Sequence, residues 1–311
     1  MSTVKSYQGV LRTADFCTLE QPNSQIPRNA SKNGLQTTWN LESLEEARQQ
    51  DVMRCKSLKR ILSAGNNGSA IGRLALLWEN RIALDNIARS LEHSVQCETN
   101  WPNLASAVYF RTQRMAWMDE VRCNFQKVDN SLLRVFTIVN QNWQYTPEQL
   151  AILNPRLLFE QLRQQFYRCG LLEIPGFLLA FLHGEFDPAS NFFQLHVHGV
   201  TNAERATALH ALKENWGYGR TPSGGSAVRV QQVKNRERQL SYLLQSFWPE
   251  RPTITTASGI VRRVRIKRML GELQHAIFLL WISKRSVSDL RLCLNCRFNG
   301  NHLQLNTQFP T

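Results

Sequence analysis

The first 40 residues are polar, rich in Asn, Gln, Ser and Thr, with no sustained apolar period, which predicts a flexible arm over 1–40. Helical periodicity begins at Leu41. The stretch NLESLEEARQQDVMRCKSLKRIL offers Asn40 as N-cap and acidic residues in its first turns, where the helix dipole favours negative charge. It stops at the breaker GNNGS, residues 65–69. A second helix, from Ala70 to Val95, places Leu74, Leu77, Ile82, Leu84, Ile87 and Leu91 on one broad stripe, and a third follows Trp101-Pro102 to Phe125. Residues 41–130 therefore read as an all-α accessory region without a catalytic motif.

From Leu132 the period changes. LLRVFTIV (132–139) is a β-branched and aromatic run, as expected of a strand. Thr146-Pro147-Glu148 opens a helix reaching Tyr167, closed by Cys169-Gly170. GFLLAFLHGEFD (176–187) and FFQLHVHGV (192–200) read as two strands of a hairpin, joined by the turn cluster Asp187-Pro188-Ala189-Ser190-Asn191. A helix capped by Asn202 runs to Asn215. Then come the loop GYGRTPSGG, a strand at 228–233, and a helix NRERQLSYLLQSFW ending at Pro249. The order β-α-β-β-α-β predicts an α+β fold: a ferredoxin-like, split βαβ antiparallel sheet with helices on one face, preceded by the all-α region. The expected divisions are 1–40, 41–130, 131–250 and a basic C-terminal region, 251–311.

Composition narrows the classes. The 311 residues, 42% hydrophobic, suffice for one large domain or two ordinary ones and exclude wholesale disorder. The longest apolar run, 276–282, is too short to span a bilayer. MSTVKSYQGV lacks an apolar h-region, so a soluble, cytoplasmic protein is expected. The seven scattered cysteines then read as reduced thiols. The net charge is +13, and ten of those charges fall between Val228 and Arg297, where fourteen Lys/Arg meet four Asp/Glu. Such concentration points to a polyanionic partner.

Candidate chemistry centres on His196-Val197-His198. On a strand, residues i and i+2 share a face, so both imidazoles point the same way. Glu185 on the preceding strand is the expected third ligand. Because pairing register is not visible in sequence, His183 and Asp187 are further candidates. A two-His, one-carboxylate set accepts Mg²⁺ or Mn²⁺, while two imidazoles tilt affinity toward later transition metals.

The histidine–hydrophobe–histidine triplet on a central strand, the apolar and Thr-containing strand 132–139, and Tyr242 in the helix after the fourth strand together resemble the HUH endonucleases. These are rolling-circle replication initiators, relaxases and related single-strand transposases, and the likeness covers about residues 130–250. It implies nicking of single-stranded DNA, or of a hairpin or origin, with Tyr242 as nucleophile. His196, His198 and Glu185 would hold the metal, and a 5′-phosphotyrosine would form. It also implies a bacterial or phage mobile element. The pattern's third motif is commonly Tyr-x-x-Lys, whereas this chain has Tyr242-Leu243-Leu244-Gln245; Arg238 or Lys234 would then orient the phosphate. With no G-x-x-x-x-G-K-[ST], unwinding would fall to a host helicase in trans.

Lys234, Arg236 and the run IVRRVRIKRML (260–270), with Arg262, Arg263, Arg265, Lys267 and Arg268, are expected to grip DNA phosphates. Trp216, Tyr218 and Trp248 are candidates for stacking on bases. Cys293-x-x-Cys296 with His302 suggests part of a structural zinc site. Two rivals remain. QLHVHGV resembles the box of histidine-triad nucleotide hydrolases and transferases, with Gln194 in the first His position. A non-catalytic nucleic-acid binder on the same sheet is the other.

Overall fold

The structure is a computed structural model, described here for residues 41–64, 79–126, 128–214, 221, 225–255, 259, 261–264 and 267–306. The predicted arm at 1–40, the breaker at 65–69, Trp216, Tyr218 and Arg265 lie outside the described residues. The fold is mixed α+β, with eight α-helices among the described residues and an all-α N-terminal region.

That region is α1 (Leu44–Ala64), α2 (Arg81–Gln96) and α3 (Ala107–Phe125). Helix α1 starts on a reciprocal Ser43/Glu46 pair rather than at Asn40. The Ser43 N–H donates to Glu46 Oε2 (2.6 Å) and the Glu46 N–H to Ser43 Oγ (3.1 Å), which satisfies two otherwise orphaned donors. Buried Asp51 on α1 accepts from Ser106 Oγ (2.7 Å) and the Ala107 N–H (2.6 Å), fixing the start of α3.

Strand β1 (Leu133–Tyr145) is longer than its predicted eight residues and carries a register shift between Val139 and Gln144. The expected single helix after it is two, α4 (Pro147–Ile152) and α5 (Pro155–Arg168). Pro155 has no N–H and disfavours helical geometry at Asn154, whose side chain instead caps α5. Strands β2 (Leu178–Asp187) and β3 (Phe192–Asn202) form the predicted hairpin; α6 (Ala203–Ala208) and β4 (Val228–Gln232) follow.

Helix α7 (Arg236–Ser241) is less than half the expected length. To continue, the Leu240 carbonyl would have to accept from Leu244. It accepts instead from the Leu243 N–H (3.2 Å) and from Trp117 Nε1 on α3 (3.1 Å). Tyr242 therefore sits at the helix end.

The remaining elements are β5 (Pro249–Glu250), β6 (Thr253–Thr255), β7 (Val261–Arg263), β8 (Arg268–Met269), α8 (Glu272–Ile282), β9 (Arg291–Leu294), β10 (Cys296–Asn299) and β11 (His302–Leu305). The main sheet has seven strands in the order β4-β1-β3-β2-β5-β8, with β9 also on β2. The pairs β4–β1, β1–β3 and β3–β2 are antiparallel, and β2–β5 is parallel, so the sheet is mixed. The apolar run 276–282 is the buried part of α8, and one hydrophobic core joins α1–α3, the sheet and the C-terminal elements. No helix among the described residues is long and apolar enough to cross a membrane.

Candidate metal and tyrosine site

The hairpin sets the site. Asp187 pairs with Phe192, and each step back along β2 meets one step forward along β3, so His183 lies opposite His196 and Glu185 opposite Gln194. Cross-strand partners share a face, which places His183 with His196 and His198. The nitrogens of these three imidazoles lie within 4.8 Å of one another, with His196 Nε2 and His198 Nε2 3.1 Å apart. They are the one such group of three or more potential ligands among the described residues.

Glu185 is not in that group. Its side chain is 9% exposed, and both oxygens are held, Oε1 by Arg251 Nη1 (2.8 Å) and Oε2 by Arg263 Nη1 (2.8 Å). The third position expected for a carboxylate is thus taken by His183, because the hairpin register brings residue 183, not 185, across from His196. His183 was a weaker candidate in the sequence because the register is set by the pairing of Asp187 with Phe192, which the structure reveals. Burial pushes the Glu185 carboxyl up, and His196, Arg251 and Arg263 more than offset it, holding the group below its usual range. At neutral pH that task falls to the arginines, since His196 is then uncharged. Asp187 is not in the cluster either and is engaged elsewhere, accepting from Thr253 and Ala189.

Each histidine has a partner outside the cluster; for His196 it is the Gln194 carbonyl, 3.4 Å from Nδ1. Nε2 of His183 lies 2.8 Å from the Leu243 carbonyl, which can only accept, so this nitrogen carries the proton. Gln245, standing where the motif expects Lys, hydrogen-bonds His183 as well. Thr137, paired with His198 across β1 and β3, places Oγ1 2.8 Å from His198 Nδ1. Burial is the leading cause that lowers all three imidazoles, His183 to about 3, His196 to about 4 and His198 well below its ordinary value. Three neutral imidazoles with outer partners are what a divalent metal needs from its ligands.

Tyr242 reaches the same place. Its ring stacks on His183 with centroids 5.6 Å apart and meets His198 edge-on at 5.1 Å. Lys267 Nζ donates to Tyr242 Oη at 2.7 Å. Beside them opens a cavity of about 550 Å³, bordered among others by His198, Tyr242, Arg229, Arg238, Gln231 and Gln245. Arg229 pairs with Thr137, which pairs with His198, so one row of side chains runs from the β4 edge to the histidines.

The predicted phosphate grips divide. Arg238 borders the cavity, Arg268 and Lys234 are exposed, and Lys267 bonds Tyr242. Arg263 is turned inward onto Glu185. Of Arg262 the backbone is described, opposite Ile254. Arg236 is spent on structure: it donates to the carbonyls of Phe125, Gln126 and Val128 and to Asn130 Oδ1, closing the end of α3. Trp248 is 5% exposed and packs on Phe193, Phe278 and Trp281, which leaves no face for a base.

The expected zinc set does not assemble among the described residues. His302 Nδ1 meets Glu120 Oε1 at 2.9 Å, while Cys296 donates to the Leu178 carbonyl and shares a hydrogen bond with Cys293, both thiols being free. Gln194, in the first His position of the histidine-triad likeness, donates to the Asn140 and Trp143 carbonyls and holds the irregular part of β1.

No protein-family model, curated protein or solved structure matches this chain.

Proposed function

We propose that this chain is a metal-dependent, site-specific single-stranded DNA endonuclease and strand transferase of the HUH type, using Tyr242 as nucleophile. The observation that carries the reading is convergence: three neutral, outwardly braced imidazoles on two paired strands, with a tyrosine ring against two of them. The strand order β4-β1-β3-β2, antiparallel throughout, supports reading the sheet as ferredoxin-like.

His183, His196 and His198 would hold a divalent cation, which when bound supplies Lewis-acid polarisation of the scissile phosphate. The all-imidazole set shifts the expected preference from Mg²⁺ toward Mn²⁺ or Zn²⁺. Tyr242 Oη attacks phosphorus as the P–O3′ bond breaks. The phenol gives up its proton and the departing 3′-oxygen takes one, leaving a 3′-hydroxyl and a 5′-phosphotyrosine. The covalent link conserves the phosphodiester for rejoining. Arg229 and Arg238 supply cationic contacts for the flanking strand along the row from the histidines to the β4 edge.

The test is a labelled random-sequence single-stranded DNA pool with Mn²⁺, scored for protein–DNA adducts that survive boiling in detergent. Tyr242→Phe is expected to abolish the adduct, and EDTA to suppress it. Adduct from Tyr242→Phe equal to wild type, or indifference to EDTA, would falsify the reading.

A further inference from the structure

We infer that Lys267 is the positioning residue for Tyr242, delivered to the site by the basic C-terminal segment and aiming Oη at the scissile phosphorus. This inference rests on the nuclease reading above and deepens it. Tyr242 follows the last residue of a six-residue helix, and 38% of the residue is exposed. Its ring is bracketed by His183 and His198, which fixes the plane but leaves the hydroxyl free to turn. Lys267 supplies the missing restraint. Its Nζ donates to Oη at 2.7 Å and lies 4.8 Å from the ring centroid, so one ammonium group addresses both the oxygen and the π face.

Helix α7 ends at Ser241, and Gln245 beyond it is engaged with His183. The lysine comes instead from 25 residues further along the chain. Its segment is tied down nearby: Arg251 and Arg263 both clamp Glu185, and β7 pairs with β6 while β8 pairs with β5 on the main sheet. A basic run that would merely coat DNA has no need of such anchoring. A donor already bonded to Oη restricts where its lone pairs point, and stands ready to face the negative charge that builds as the P–O bond forms.

The experiment compares wild type, Lys267→Met and Lys267→Arg on the random-sequence single-stranded pool with Mn²⁺. Adduct formation is followed in single turnover at saturating DNA, and DNA Kd is measured separately. A positioning role predicts that Lys267→Met loses on the order of 100-fold in the saturated rate, with Kd changed by less than about threefold, as for loss of at most one phosphate contact. Lys267→Arg, which keeps a cationic donor, is expected to recover most of the rate. A weakened Kd with an unchanged saturated rate would overturn the inference and make Lys267 a phosphate grip. A second readout needs no activity: with ¹³Cζ-labelled tyrosine, Lys267→Met should shift the Tyr242 resonance and leave the other tyrosines in place. No shift there overturns the contact itself. A shift with no wild-type adduct under any metal overturns the nuclease reading, and the positioning role falls with it.

Discussion

Replacing Glu185 by Gln separates the two tasks open to a buried carboxylate beside the histidines. Its oxygens lie 2.8 Å from Arg251 and 2.8 Å from Arg263, and the three side chains are 9%, 24% and 15% exposed. Removing the charge leaves two guanidinium groups facing a neutral amide. Breaking a fully buried ion pair costs about 3–5 kcal/mol, and an exposed pair about 0–1 kcal/mol. The arginines keep some access to water, so about 2–3 kcal/mol is expected here, a fall in Tm of roughly 5 °C or more. Denaturant unfolding of the metal-free protein measures it. Metal affinity should respond differently, because the group placed to hold an ion is His183, His196 and His198, without Glu185. In calorimetric titration with Zn²⁺ and with Mn²⁺, Glu185→Gln should shift Kd by less than about tenfold, and His183→Ala by more than about 100-fold, beyond the range of outer-shell partners. Glu185→Gln binding metal as poorly as His183→Ala, with stability intact, would refute both the register argument and the arginine clamp.

Two further outcomes follow from the geometry. Burial depresses His183 to about 3 and His196 to about 4, so the unfolded chain takes up protons near pH 6.5 that the folded protein refuses. Their neutral burial is fully tolerated above pH 6.5, and stability drains as pH falls toward 4, by about 1.4 kcal/mol per unit for each histidine; a His183→Asn/His196→Gln variant with the same pH slope as wild type would contradict this. Arg236→Ala, losing its contacts to Phe125, Gln126, Val128 and Asn130, should cost about 2–4 kcal/mol of stability and leave the salt dependence of the proposed DNA binding unchanged. Arg238→Ala should do the opposite, lowering the salt slope by about 1.

The sequence by itself determined the parts that depend on local periodicity. The helical N-terminal region, the β2–β3 hairpin, the buried character of 276–282 and the common face of His196 and His198 all follow from periods of 3.6 and 2, which need no knowledge of the rest of the chain. Tyr242 was a candidate on different grounds, the resemblance of its surroundings to the HUH pattern, because periodicity alone reads LSYLL as the apolar face of a helix. What tertiary structure alone decided is which distant groups meet. The hairpin register brought in His183 and released Glu185 to the arginines; a slip of two residues would have kept the same face and exchanged their roles. The carbonyl of Leu240, claimed by Trp117 from α3, ended α7 early and set where Tyr242 stands. Charge was the least local property of all. The sequence counted Arg236, Arg263 and Lys267 alike as phosphate grips, yet one closes a helix, one pairs with a buried carboxylate and one bonds a phenol. A positive side chain goes to whichever acceptor the fold brings within about 3 Å, and that choice is made by packing.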